Sequence, residues 1–226
     1  MSETRGRWSR FYDKVFQGKT AVWTAIFTGV LAVFTILLFR VSNDSRTDNV
    51  GTQRAFISMV AVGGQPLSTP DGSKLIAIRM FPTWQNSGTT PAKEAISQVS
   101  WEVWPSDLPE GFTFPDQSKR ERRKFVLGPK AGSSMFMDPM SIDQFKDVKD
   151  GKFRLFVWGW VKYNDIFAGT PTRLTEFCTE IVSISATKAD MTDPANSFNW
   201  SGNNCRDFNC FDESCVDYKT RINAKE

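Results

Sequence analysis

The chain contains no histidine among its 226 residues. That absence removes Ser-His-Asp and Cys-His nucleophilic chemistry, HExxH zinc sites and every histidine-based proton shuttle. Other signatures are missing too. Gly132-Ser133-Ser134 does not make a G-x-S-x-G elbow. Gly128-Pro129-Lys130 is too short to be a phosphate loop. Asp165 and Glu176 show no partner carboxylate spacing. No internal repeat is visible. The sequence therefore predicts a protein that is not an enzyme and carries no cofactor and no metal.

The charge is also short on information about partners. The net charge is +3. Residues 1–20 account for it, with Arg5, Arg7, Arg10, Lys14 and Lys19 against Glu3 and Asp13. The rest of the chain balances, so no basic face is implied and nucleic-acid binding is not expected.

What is present starts with Ala21–Phe39, AVWTAIFTGVLAVFTILLF, which carries no charge. As a helix this run spans ~28 Å, close to the ~30 Å hydrocarbon core of a bilayer. A buried core helix of that length would need a polar face. A cleaved signal peptide would have a shorter apolar run and a small-x-small site after it, which Arg40-Val41-Ser42-Asn43 lacks. The reading is a transmembrane helix over 21–39, with a cytoplasmic basic tail at 1–20. Five Lys/Arg precede the span, whereas Arg40 and Arg46 follow it, so the positive-inside rule exports the rest. Trp23 suits the interface. Ala21, Ala25 and Gly29 recur every fourth residue, a small-residue stripe where another helix can pack.

Residues 40–53 read as a polar linker, and an exported domain covers 54–226. Apolar runs at Ala55–Val62 and Lys74–Phe81 read as strands. Ala95–Trp104 alternates, with Val99, Trp101 and Val103 on one face and Gln98, Ser100 and Glu102 on the other. Ser133–Asp138 is a short strand candidate. Phe153–Tyr163 is apolar on both faces and so central. Arg173–Ile184 closes the series. Ser141 and Gln144 have capping-box spacing, and Ile142, Phe145 and Val148 mark one face of a two-turn helix ended by Gly151. The predicted fold is mainly β, an antiparallel, immunoglobulin-like sandwich with one short helix, preceded by the membrane helix. The Cys…Trp…Cys pattern of antibody domains is absent.

Four cysteines all fall late: Cys178, Cys205, Cys210 and Cys215. Beyond the cytoplasm an even set predicts two disulfides, with three pairings open. Cys178 shares a face with Glu176 and Glu180, opposite Phe177 and Ile181. That puts it on the wetter face of its strand, from which a bridge to 205–215 would staple the tail over the sheet. The rival is a four-thiolate zinc site, but paired C-x₂₋₄-C knuckles are missing. Asp207, Asp212, Glu213 and Asp217 lack the alternation of a calcium loop. Lys119, Arg120, Arg122, Arg123 and Lys124 form a basic run able to touch anionic lipid or an acidic partner, or else a solvated loop. Trp158 and Trp160 share one face, either as core or as an aromatic platform for a ligand.

RAF at 54–56, NSGTTPA at 86–92, FVLGP at 125–129, VKYNDIFAG at 161–169 and TRLTEFC at 172–178 carry a resemblance. With the Cys-rich end, they resemble a family of small proteobacterial single-span membrane proteins with an exported β domain. The resemblance implies a bacterial inner membrane and periplasm, and it transfers no catalytic residue. Within it, Gly88 and Pro91 shape a turn that Asn86 caps. The functional expectation is an interaction or scaffold protein, an accessory subunit of an envelope complex, with membrane lipid and a membrane-protein partner or a second copy as its contacts. The alternative is a periplasmic ligand-binding or sensing domain.

Overall fold

Apolar residues occupy every turn of the first helix, and each described one is exposed. In the computed structural model, which describes residues 22–42, 53–117 and 124–223, α1 runs over Val22–Ser42. Its mean hydropathy is 2.3 and none of it is buried. Its 21 residues span about 30 Å, enough to cross a bilayer. Thr28 and Thr35 donate back to the carbonyls of Thr24 and Leu31, so neither hydroxyl is left bare on an apolar surface. Residues 1–52 and 53–226 are separate compact units.

Alternation of side chains makes the second unit a sandwich. One sheet holds β1 (Ile57–Ser68), β2 (Leu75–Asn86), β5 (Gly132–Ser134) and β6 (Met140–Ser141), with β2 paired to the other three. The second sheet runs β10 (Cys210–Phe211), β8 (Arg173–Ala186), β7 (Arg154–Asn164), β3 (Ala92–Trp104), β4 (Phe125–Leu127), and β9 (Phe198–Asn204) also pairs with β8. Every pairing is antiparallel. Along β2 the buried residues Ile78, Met80 and Trp84 face Val99, Val157, Val161, Phe177 and Ile181 of the second sheet. Trp84 and Phe177 meet edge to face at 5.2 Å across the core. Helix α2 (Ile142–Lys149) has the expected capping box and buries Ile142, Phe145 and Val148, with Phe145 against Phe198 and Trp200.

Strand β1 is an edge, and side chains of the other sheet close it. Tyr163 Oη accepts from Ile57 N at 3.1 Å, and Thr175 Oγ1 donates to Ile57 O at 2.7 Å. Trp200 Nε1 donates to Val62 O at 2.9 Å. The indole lies flat enough on the strand that a Cβ at Gly64 would meet it at 2.1 Å, so only glycine fits there. Bonding the edge internally removes a template for another strand.

The elements depart from the expectation in length and number. β1 and β2 are longer than Ala55–Val62 and Lys74–Phe81, because they pair with each other over their whole length in one hairpin. The run at Ser133–Asp138 contributes only Gly132–Ser134 as strand. Strand β9 and helix α3 (Tyr218–Asn223) had no apolar periodicity to mark them.

Candidate functional site

The outer face of β7 and β8 is the unexpected part. Trp158 pairs across the strands with Cys178, and Trp160 with Glu176, which in turn pairs with Cys210 of β10. Cys178 and Glu176 were expected on the wetter face of their strand, and Trp158 and Trp160 either in the core or on an aromatic platform. They are buried, with Cys178 at 0 % exposure, because two segments lie over them as a third layer. The first is the segment after β3. Ser100 accepts from Gln117 N, Trp158 Nε1 donates to Pro115 O at 3.1 Å, and Trp160 Nε1 donates to Asp116 at 2.8 Å. Phe112 and Phe114 then pack on Trp158. The second is the C-terminal tail, from which Phe208 stacks on Phe114 and Tyr218 donates to Thr172 O at 2.8 Å.

The four cysteines form two disulfides, Cys178–Cys205 and Cys210–Cys215. Sulfurs committed to each other are not thiolates, which removes the four-thiolate zinc reading. The two bridges differ in setting. Cys178–Cys205 spans 27 residues and sits among Phe114, Phe156, Trp158 and Phe208, with Asn209 Oδ1 accepting from Cys178 N. Cys210–Cys215 spans five residues around a short 3₁₀ turn, Asp212–Ser214. By chain entropy the first bridge contributes about 3–4 kcal/mol and the second about 2.

Beside the second bridge lies a buried ionic group that the sequence did not disclose. Glu176 is 4 % exposed. Its Oε2 is 3.1 Å from Cys210 Sγ, and its Oε1 is 2.6 Å from Arg221 Nε. Arg221, from α3, also reaches Asp116 at 3.5 Å and lies 5.4 Å from the ring centres of both Trp160 and Phe208. Burial pushes the Glu176 carboxyl above the usual range, Asp217 and Asp116 add to this, and Arg221 opposes it. Among the described residues, Glu176, Cys210 and Cys215 are the one group of three metal-type donors, all within 4.8 Å of one another. The signal available in the sequence was the shared face of Glu176 and Cys178. The covering Arg221 lies 45 residues further on, and only the folded tail brings it there.

Other residues singled out in the sequence stay apart. Trp158 and Trp160 are core and present no platform. Trp101 is half-buried and donates to Asp138 O. Ala25 and Gly29 lie exposed on α1, while Ala21 falls outside the described residues. Lys119, Arg120, Arg122 and Arg123 also fall outside them; Lys124 is exposed just before β4. Asp212 does not join a cation site: it accepts from Leu174 N and pairs with Arg173 at 3.1 Å. Asp165 caps its own loop, accepting from Phe167 N and Thr170 Oγ1. A hollow of about 230 Å³ is lined by Val99, Ser100, Trp101, Gln117, Met137 and Asp138. It is below the ~300–1,000 Å³ usual for ligand pockets.

Taken together, these features define a mainly β, disulfide-bonded domain following an apolar helix long enough to cross a membrane. Compared with protein-family models, curated proteins and solved structures, the chain finds no match.

Proposed function

We propose that this chain is a membrane-anchored, non-catalytic interaction protein, an accessory subunit of a cell-envelope complex. In this reading α1 sits in a bacterial inner membrane with the basic tail inside, and the β domain folds in the periplasm. The resemblance to proteobacterial single-span proteins points the same way. The observation that carries the reading is the contrast between the two units. Every side chain of α1 that is described is exposed, whereas the domain spends its buried aromatics and ion pairs on itself. What the chain offers outward is therefore an apolar helix with Ala25 and Gly29 on it, a surface suited to lipid and to another helix.

The test is solubilisation of native membranes in mild detergent, with a photo-crosslinking residue at Gly29 or Ala25. The reading expects a discrete crosslinked species and a co-purifying membrane protein or second copy. A monomer with no crosslink from either position would refute it. Accessibility of Cys205 to a membrane-impermeant label, after reduction in intact cells and in spheroplasts, tests the direction separately.

A further inference from the structure

Side chains close the edge at β1, but the edge made by β9 is open. β9 pairs with β8 on one side, and among the described residues no strand pairs with its other side. The two ends of β9 show which way its main chain points. Ser197 O accepts from Thr187 N at 3.0 Å, and Cys205 N donates to Cys178 O at 3.0 Å, so these odd-numbered residues aim at β8. Alternation then turns the N–H and C=O of Phe198, Trp200, Gly202 and Asn204 toward the open edge. The side chains divide by face. Phe198 and Trp200 pack inward on Phe145, while Asn199, Ser201 and Asn203 stand exposed on the outer face. The usual guards of a strand edge are missing, since Phe198–Asn204 holds no proline and no charged side chain.

We propose that β9 is a self-association edge, on which β9 of a second copy adds antiparallel about a two-fold axis through Ser201. The residues set this register. With Ser201 opposite Ser201 of the second copy, Trp200 falls opposite its Gly202 and Phe198 opposite its Asn204. Every outward N–H and C=O of one strand then meets its counterpart on the other. Sliding the strands by two residues leaves an end unpaired, and an axis at Trp200 sets two indoles against each other. Gly202 is the small member of its pair by necessity, because a Cβ there would meet Thr179 Cγ2 at 2.5 Å and Glu180 O at 2.7 Å. On the outer face Asn199 meets Asn203, amide to amide, and Ser201 meets Ser201. Large against small and polar against polar, mirrored about one residue, is what an isologous interface requires and an unrelated strand does not. No charge meets a like charge, so identical strands approach without repulsion. The inference lies within the β domain and does not depend on the docking role proposed above for α1.

The experiment uses the full chain, in native membranes and in detergent micelles, with Ser201→Cys as the probe under mild copper oxidation. In a non-hydrogen-bonded antiparallel pair the Cα atoms are about 4.5 Å apart, within disulfide reach. A dimer linked through position 201 on both copies is expected by non-reducing peptide mapping, with both native disulfides and tryptophan fluorescence retained. Asn199→Cys alone should stay unlinked, because the two copies of position 199 lie about 13 Å apart in this register. Combined with Asn203→Cys it should link 199 to 203 between copies. Ser201→Lys sets like charges on the axis and should weaken self-association of the domain about ten-fold or more. Amide exchange gives a readout that needs no cysteine. In the wild type the Trp200 and Gly202 amides should exchange slowly, and in Ser201→Lys they should exchange fast, while Ser201 and Asn203 stay protected by β8 in both. Fast Trp200 and Gly202 amides in the wild type, with no link from Ser201→Cys, overturn the proposal even if the chain dimerises through α1. Equal linkage from Asn199→Cys and Ser201→Cys overturns it too, as does linkage of Ser201→Cys to a different protein.

Discussion

Asn86→Ala should unfold the β domain more readily than its single lost side chain suggests. Asn86 is fully buried where the chain leaves β2 for the other sheet. Its Oδ1 accepts from Phe56 N at 3.1 Å and Gly88 N at 3.0 Å. Its Nδ2 donates to Thr90 O at 2.7 Å, Leu127 O at 3.1 Å and Gly128 O at 3.2 Å. Phe56 leads into β1 of one sheet and Leu127 ends β4 of the other, so one amide ties both sheets and the turn between them. Alanine leaves two N–H and three C=O groups without that partner. The Leu127 contact is fully buried, and its loss costs about 1–3 kcal/mol. The other four are half-buried and cost about 0.5–1 kcal/mol each after partial hydration. The sum is about 3–7 kcal/mol, or about 10–20 °C in Tm for a domain of this size.

The assay is thermal and urea unfolding of the detergent-solubilised chain, followed by tryptophan fluorescence. Asn86→Asp supplies the control. It keeps the shape and the two accepted bonds but aims a charged oxygen at three carbonyls. At neutral pH it should be no more stable than alanine, and it should regain stability as the carboxyl is protonated. If Asn86→Ala lost less than about 1 kcal/mol, or if aspartate were tolerated at neutral pH, the five-bond account would be wrong.

Three further perturbations test other parts of the argument. Tyr163→Phe removes the acceptor of Ile57 N in the buried edge of β1 and should cost about 1–2 kcal/mol in urea unfolding; a neutral result would mean that water replaces the hydroxyl. Gly159→Ala puts a Cβ 2.4 Å from Gln98 O and 2.8 Å from Val99 Cγ1, and should cost about 3 kcal/mol or more, read as lost Tm or insoluble expression. The Glu176 carboxyl binds its proton more tightly folded than unfolded. Its contribution should therefore be greatest below the unfolded pKa and decline as pH rises through the folded one. Relative to Glu176→Gln, the wild-type chain should lose stability over that window; a gain would show that Arg221, not burial, governs the group.

The inward half of the sandwich was legible because it obeys one rule. Val99 and Phe177 lie on faces that the period-2 pattern assigns, and the Ser141–Gln144 box places α2 with its buried side chains. The staple from Cys178 to the tail followed from strand direction and compartment, although the choice of Cys205 among three partners did not. Strand β9 was invisible because Phe198–Asn204 pairs through its backbone along β8 while most of its side chains are polar and exposed.

The outer layer escaped for a different reason. Alternation reports whether a face is polar, and from that it infers water. On β3 and β8 the inference breaks down, because Gln98, Ser100 and Glu176 are polar yet buried. The partners of Ser100 and Glu176 come from segments with no periodicity of their own, 112–117 and 205–221, fixed mostly by side-chain bonds, with only the two-residue β10 in a ladder. A glutamate on such a face reads as solvated until Arg221 is placed beside it. That pairing makes a structural lock, with the charges offsetting each other's desolvation.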